Sequence, residues 1–118
     1  MQDHMFDSEM KLMELVWEKE PVSAKELSLL AAERIGWNKN TIYTILKKLV
    51  EKGRVSRQEP GFICRALVSR RDVQQRETRG LMERFFGGSR KALFSALLED
   101  EEISREELEA LKQMIEEH

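Results

Sequence analysis

Residues 37–53 (WNKNTIYTILKKLVEKG) constrain the fold most, because one short segment carries a helix start, an amphipathic repeat and a helix end. Asn38 suits an N-cap, and Gly53 stands where a glycine commonly ends a helix. The apolar residues follow the spacing of one buried helical face: Ile42, Ile45, Leu46, Leu49 and Val50. At about 100° per residue they cover an arc of roughly 140°. The segment therefore predicts a helix over about 39–52 that packs by one face.

The opposite side of this helix carries no acid until Glu51. It presents amides, hydroxyls and amines from Asn40, Thr41, Tyr43, Thr44, Lys47 and Lys48. Such groups pair with base edges and phosphates when a helix enters the major groove of DNA. An ordinary amphipathic surface helix would show the same apolar pattern, so the flanking sequence decides between the two interpretations.

The net charge of −2 hides a local asymmetry. Residues 34–65 hold eight Lys and Arg against Glu51 and Glu59, a balance of +6, whereas residues 99–118 hold nine acids against Arg105 and Lys112, a balance of −7. A basic middle in an acidic chain indicates an anionic partner for that middle. The local balance is more informative here than the overall pI of about 5.8.

Two further helices are predicted before residue 37. Ser8 is the expected cap of a helix over about 8–19, and Pro21 ends that segment. Ser23 and Glu26 have the spacing of a capping box, which starts a second helix near Ala24 that stops near residue 36. Two short helices followed by a third with polar first turns form a helix-turn-helix arrangement.

After Gly53 the periodicity changes to that of a β-hairpin. Residues 54–58 and 62–68 read as strands joined by a turn at Pro60-Gly61. A hairpin directly after the third helix is the wing of a winged helix. We expect Arg57 and Arg65 to lie close together across it and to meet phosphates or a minor groove. A solvated edge hairpin that needs charges to avoid aggregation is the alternative for either arginine.

The remaining residues predict three more helices, over about 70–86, from Ser89, and from the capping box of Ser104 and Glu107. Their apolar residues are too many for so short a region to bury alone. We therefore expect pairing with a second copy through Leu81, Phe85, Leu93, Phe94, Leu97, Leu108, Leu111 and Ile115. The alternative, packing back on the first domain, is disfavoured because the helix from residue 70 is polar at its start. The sequence thus predicts a mainly α fold with a small β-hairpin: a winged helix-turn-helix domain (1–69) and a three-helix dimerisation region (70–118).

Several other protein classes lack support in the sequence. No apolar run approaches the length of a membrane span, and residues 1–5 have no signal-peptide character, so we expect a cytoplasmic protein. The single cysteine, Cys64, and two terminal histidines offer neither an internal disulfide nor a ready metal site. No catalytic set and no glycine-rich phosphate loop is evident, so neither an enzyme nor a cofactor is expected.

The ordered motifs resemble one known family. They are similar to the motifs of the penicillinase-repressor (BlaI/MecI/CopY) family. In the first part of the chain the similar residues are Glu9–Trp17 (EMKLMELVW), Val22-Ser23-Ala24, Trp37, Thr41–Thr44 (TIYT) with Leu46 and Leu49, and Lys52-Gly53. In the tail they are Gly87-Gly88, Leu93 and the segment 104–108. The resemblance runs from about Phe6 to the C-terminus. It implies a dimeric repressor on a palindromic operator before β-lactamase, penicillin-binding-protein or copper-handling genes. The family's recognition positions fall on Asn40, Thr41, Tyr43, Thr44 and Lys47.

Two departures from the family pattern bear on how repression would be relieved. Antibiotic-responsive members are cut at an Asn-Phe bond, which would fall near Ala96-Leu97, yet no asparagine follows Asn40 here. An inactivating protease is thus a partner whose cleavage site is not apparent. Copper-responsive members bind metal through paired Cys-x-Cys motifs, which this tail lacks. A different class of function stays open, in which the winged helix binds an acidic protein partner instead of DNA.

Overall fold

The computed structural model describes residues 4–118, so the first three residues of the predicted first domain lie outside it. Six helices span α1 (Asp7–Lys19), α2 (Ala24–Arg34), α3 (Lys39–Glu51), α4 (Arg70–Phe86), α5 (Arg90–Leu98) and α6 (Arg105–Glu117). Three strands span β1 (Val22–Ser23), β2 (Val55–Gln58) and β3 (Ile63–Ala66). The predicted fold class, mainly α with a small β-hairpin, is confirmed.

The helix starts mostly follow the capping residues that the sequence indicates. The side chains of Ser23, Asn38 and Ser104 accept hydrogen bonds from the backbone N–H groups of Glu26, Thr41 and Glu107. The first helix differs from the prediction, because it begins at Asp7 and not after Ser8. There the Glu9 carboxylate accepts the Phe6 backbone N–H at 3.0 Å, so the cap is made by an acid inside the first turn.

The sheet is antiparallel with strand order β1-β3-β2. The sequence predicted the β2–β3 hairpin but missed β1, in which Val22 and Ser23 pair with Cys64 and Ile63. Two residues are too few to show a strand period, and the sequence predicts only a capping role for Ser23. The added strand joins the connection between α1 and α2 to the wing, so the hairpin is anchored to the helices.

The chain divides into two compact units, which we call the head unit (through Glu77) and the tail unit (Thr78–His118). The core of the head unit consists of residues that α1, α2, α3 and the sheet bury completely, among them Leu12, Val16, Leu27, Ile42, Leu46, Leu49 and Val55. These include most of the apolar residues from which the helices were predicted. The apolar face of α3 packs into this core, and its polar face points to the solvent.

The first turns of α4 belong to the head unit, which contradicts the expectation that this polar segment stays away from it. Val73 is buried in the head core. Arg70 donates two hydrogen bonds to Glu14, and the Glu77 carboxylate accepts the backbone N–H of Met5 at 2.8 Å. Polar side chains do not prevent packing here because ion pairs and a single valine make the contact. The functional boundary between residues 69 and 70 stays a prediction.

The tail unit has little buried apolar surface of its own. Met82 is buried, but no residue of α5 or α6 is. Phe85 is 69% exposed and Ile115 64% exposed. Among the described residues, no helix is long and apolar enough to cross a membrane.

Candidate nucleic-acid interface

One face of α3 is buried and the other is exposed, as the periodicity of its sequence predicts. Ile42, Ile45, Leu46 and Leu49 are buried, while Asn40, Thr41, Thr44, Lys47 and Lys48 are exposed and Tyr43 is half-buried. The Thr44 hydroxyl donates to the Asn40 carbonyl at 2.8 Å, so its oxygen keeps acceptor capacity toward solvent. All six predicted positions on α3 therefore lie on surface that a ligand can reach.

Tyr43 occupies the edge of this surface that faces the wing. Its ring meets the Phe62 ring edge-on, with centroids 6.3 Å apart and planes at 76°. The Lys39 ammonium lies 5.8 Å from the Tyr43 centroid. The tyrosine ring therefore packs between α3 and the wing. Its side chain is less free to turn toward a base than those of Asn40 and Thr44.

Arg57 and Arg65 do not lie together across the hairpin, which corrects the sequence-based expectation. Arg57 is paired with Cys64, and Arg65 is paired with Ser56. Directly paired residues share a face of the sheet and successive residues alternate. Arg57 therefore points toward the side of the buried Cys64, whereas Arg65 points to the opposite face, where it donates to Gln58 at 2.8 Å. The two arginines consequently serve different surfaces.

The Arg57 side chain is held by two contacts beside the turn. Its guanidinium carbon lies 3.8 Å from the centroid of the Phe62 ring, and its Nε donates to Glu59 at 2.5 Å. That hydrogen bond, with the backbone N–H of Phe62, lowers the pKa of the Glu59 carboxyl. Phe62 has a left-handed backbone with φ 50° and precedes β3, although the sequence placed it inside the strand. The neighbouring Pro60-Gly61 turn was the available signal that the strand starts later.

Several of the basic residues counted from 34 to 65 are already engaged within the head unit. Arg34 pairs with Glu18, Lys52 pairs with Glu9, and Arg54 is buried. The local excess of positive charge therefore overstates what α3 and the wing offer to an anion. The exposed cations of α3 are Lys39, Lys47 and Lys48. On the wing Arg65 is exposed, and Arg57 is exposed but pairs with Glu59.

Comparison with known proteins agrees with this arrangement. Residues 6–117 match the penicillinase repressor family. The chain belongs to that family. It is 25% identical to a penicillinase repressor of Bacillus licheniformis over 114 residues, covering 95% of this chain and 89% of that one. It is 24% identical to the methicillin resistance regulatory protein MecI of Staphylococcus aureus (strain N315) over 110 residues, covering 92% and 89%.

The fold of the first part of the chain also has a solved counterpart. The solution structure of the DNA-binding domain of the repressor BlaI superposes with a TM-score of 0.56 at 22% identity, covering 61% of this chain and 90% of that domain. This confirms the winged-helix fold. Members of the family are transcriptional repressors, so the chain is a DNA-binding transcription regulator and not an enzyme. The family assignment made from the ordered motifs is confirmed as well.

Proposed function

We propose that the chain is a homodimeric repressor that places α3 in the major groove of a palindromic operator while the wing contacts the backbone. The observation that carries this proposal is an exposed, acid-free surface on a helix whose opposite face is buried through Ile42, Ile45, Leu46 and Leu49. The exposed surface is formed by Asn40, Thr41, Thr44, Lys47 and Lys48. A rigid helix with donors and acceptors in its first turns meets the requirement for reading base edges.

The roles of the individual side chains follow from their positions. Asn40 and Thr44 lie in the first two turns of α3 and would contact bases, with Thr41 and Tyr43 beside them. Lys47 and Lys48 lie further along the helix, where an ammonium reaches phosphates. Arg57 and Arg65 would contact the DNA backbone from different faces of the wing, since the strand register separates them.

Dimerisation through the tail unit is supported by its exposed apolar residues. Leu81, Phe85, Phe94, Leu97 and Ile115 are exposed, and Leu93, Leu108 and Leu111 are half-buried. An apolar groove of about 350 Å³ runs between α5 and α6, lined by Phe94, Leu97, Leu98, Leu108, Leu111 and Ile115. Exposed apolar surface on this scale marks an association site in a soluble protein, and a second copy is the occupant we propose.

The regulated genes are proposed from the named relatives. A penicillinase repressor and a methicillin resistance regulatory protein are among them, so we propose a β-lactam-resistance-type gene or a related one, acting in the cytoplasm where the operator is. Relief of repression by a protease is part of the family resemblance, and the tail here has no asparagine at which the same cut would occur.

Electrophoretic mobility on DNA from upstream of the protein's own gene tests this function. At about 0.15 M salt, a labelled fragment should shift and should resist a large excess of unrelated duplex, because specific binding typically exceeds nonspecific binding by about 10³-fold or more. A shift that unrelated DNA abolishes equally well would contradict operator recognition. The absence of any shift would favour the alternative in which the winged helix binds an acidic protein.

A further inference from the structure

A groove opens between α3 and the wing, within the head unit. It has a volume of about 400 Å³ and is lined by Tyr43, Lys47, Val50, Glu51, Arg57 and Phe62. That volume lies within the range of about 300–1,000 Å³ typical of small-molecule sites. Its walls come from two elements that the head core and the sheet hold in place, so the groove is formed before any ligand arrives.

The floor of the groove is apolar and aromatic. Val50 and the rings of Tyr43 and Phe62 supply it, and the two rings stand edge-to-face. Arg57 lies on one side of the Phe62 ring, so a flat group would contact Val50 and the remaining surface of the two rings. Such a floor suits a planar apolar ligand better than a phosphate, which has no apolar surface to bury.

The rim of the groove carries the Lys47 ammonium and the Arg57 guanidinium beside the Glu51 carboxylate, and Glu59 pairs with the Nε of Arg57. The Arg57 guanidinium is held by the Phe62 ring and by Glu59. Its donors are therefore already oriented, and binding would cost little side-chain conformational entropy. One carboxylate is matched by this rim, because the Lys47 ammonium and the terminal N–H groups of Arg57 can donate to it, while Glu51 and Glu59 oppose the additional charge of a polyanion.

We propose that this groove binds small planar aromatic carboxylates, which compete with DNA for the same surface. The ring would lie on Val50 beside the Tyr43 and Phe62 rings, and the carboxylate would accept hydrogen bonds from Lys47 and from the terminal N–H groups of Arg57. The competition rests on the proposed function, because Lys47 and Arg57 are also DNA-contacting residues in that proposal. A ligand bound here would act as an inducer by occupying both cations.

The test uses the full-length chain, 2-naphthoate as the probe and 2-naphthamide as its uncharged counterpart. Binding is measured first without DNA, by chemical-shift perturbation of the 15N-labelled protein. We expect saturable shifts at Val50, Lys47 and Phe62 and at Tyr43, which is the single tyrosine of the chain. The amide should bind about tenfold more weakly, as expected for loss of a charge-assisted pair.

Arg57→Gln and Lys47→Gln should each weaken naphthoate binding about fivefold or more. Arg65→Gln is the matched control, since Arg65 lies on the opposite face of the same hairpin and should leave naphthoate affinity unchanged. Both Arg57 and Lys47 are exposed, and circular dichroism verifies that each variant is folded. Equal binding of amide and carboxylate, equal effects of Arg57→Gln and Arg65→Gln, or shifts confined to the α5–α6 groove would each overturn the proposal.

Competition is measured in a second step, with labelled promoter DNA and rising naphthoate. Release of DNA at the concentrations that saturate the groove is the expected result. Naphthoate binding without any DNA binding would mean that the groove proposal holds and the proposed function fails. DNA binding without naphthoate binding would overturn the groove proposal alone.

Discussion

The Lys52 ammonium lies 2.9 Å from each carboxylate oxygen of Glu9, although 43 positions separate the two residues in the sequence. Glu9 is only 2% exposed and also accepts the Phe6 backbone N–H. The Lys52 ammonium in addition lies 4.8 Å from the centroid of the Phe6 ring. This pair joins the first turn of α1 to Lys52, the C-cap residue of α3. It therefore holds the C-terminal end of α3 against the start of α1.

Removing the lysine should therefore be costly. Lys52→Ala leaves the buried Glu9 carboxylate without its cation, and we expect the free energy of unfolding to fall by about 3 kcal/mol, near the lower end for a buried pair because Lys52 is partly exposed. Arg34→Ala is the matched control, since its solvent-exposed pair with Glu18 should contribute far less to stability. Urea denaturation measures both. Equal losses for the two variants would show that burial of Glu9 does not matter.

Phosphate contacts should appear in the salt dependence of DNA binding. Lys47→Ala and Arg57→Ala should weaken binding to all sequences, and each should reduce the slope of log K against log salt by about one. Lys11→Ala, an exposed lysine on α1, is the control and should keep the wild-type slope. If both interface variants also keep it, Lys47 and Arg57 do not contact phosphate.

Base reading should depend on the first turns of α3. Asn40→Ala should relax discrimination at one or two operator positions, at a cost of about 1–3 kcal/mol for a bidentate contact. Thr44→Ala should cost less, because a single hydroxyl makes fewer bonds. A selection from randomised operators measures both preferences, with Lys48→Ala as a variant expected to change affinity but not preference. Unchanged preferences in all three would place the specificity in DNA shape instead.

Cys64 should be chemically inert while the head is folded. It is fully buried on β3, and burial raises the pKa of its thiol to about 11. The unfolded thiol, with a pKa of about 8.5, ionises first as pH rises. Cys64 therefore contributes stability that is present below about pH 8.5 and is lost toward pH 11. Reaction with a disulfide reagent at pH 8 should proceed only through unfolding, and fast labelling of the native protein would contradict this.

The tail unit should control operator affinity through dimerisation. A chain that ends at Phe86 retains the complete head unit and should fold, yet bind a palindrome about 10²-fold or more weakly, because the second head is no longer tethered. Leu111→Asp should act similarly, since it places an unpaired charge on the apolar groove. Gln113→Asp, at an exposed position of α6 outside this groove, is the control for charge alone. Sedimentation at micromolar concentration should find a dimer only for the wild type and the control.

Local signals predicted much of this fold, while contacts distant in sequence escaped prediction. Caps such as Asn38 and Ser104 are contained within a few residues, so the helix starts could be identified. The burial of Glu9 depends on Lys52, which lies 43 residues away. The spacing of residues in the sequence does not predict such a distant pair. The opposite orientations of Arg57 and Arg65 depend on register, which the turn sequence alone did not define. The partly period-two alternation of Phe62, Cys64 and Ala66 predicts a strand that includes Phe62, whereas the backbone of Phe62 belongs to the turn.

Footprinting of the protein on DNA from its own promoter tests the central claim most directly. With hydroxyl radicals, the full-length chain should protect two symmetric half-sites, centred about one helical turn or a multiple of it apart. Substituting Asn40 by Ala should weaken both half-sites together, because each head carries one copy of α3. Protection of a single half-site at full occupancy, or protection without any preferred sequence, would contradict a dimeric repressor that reads its operator through α3.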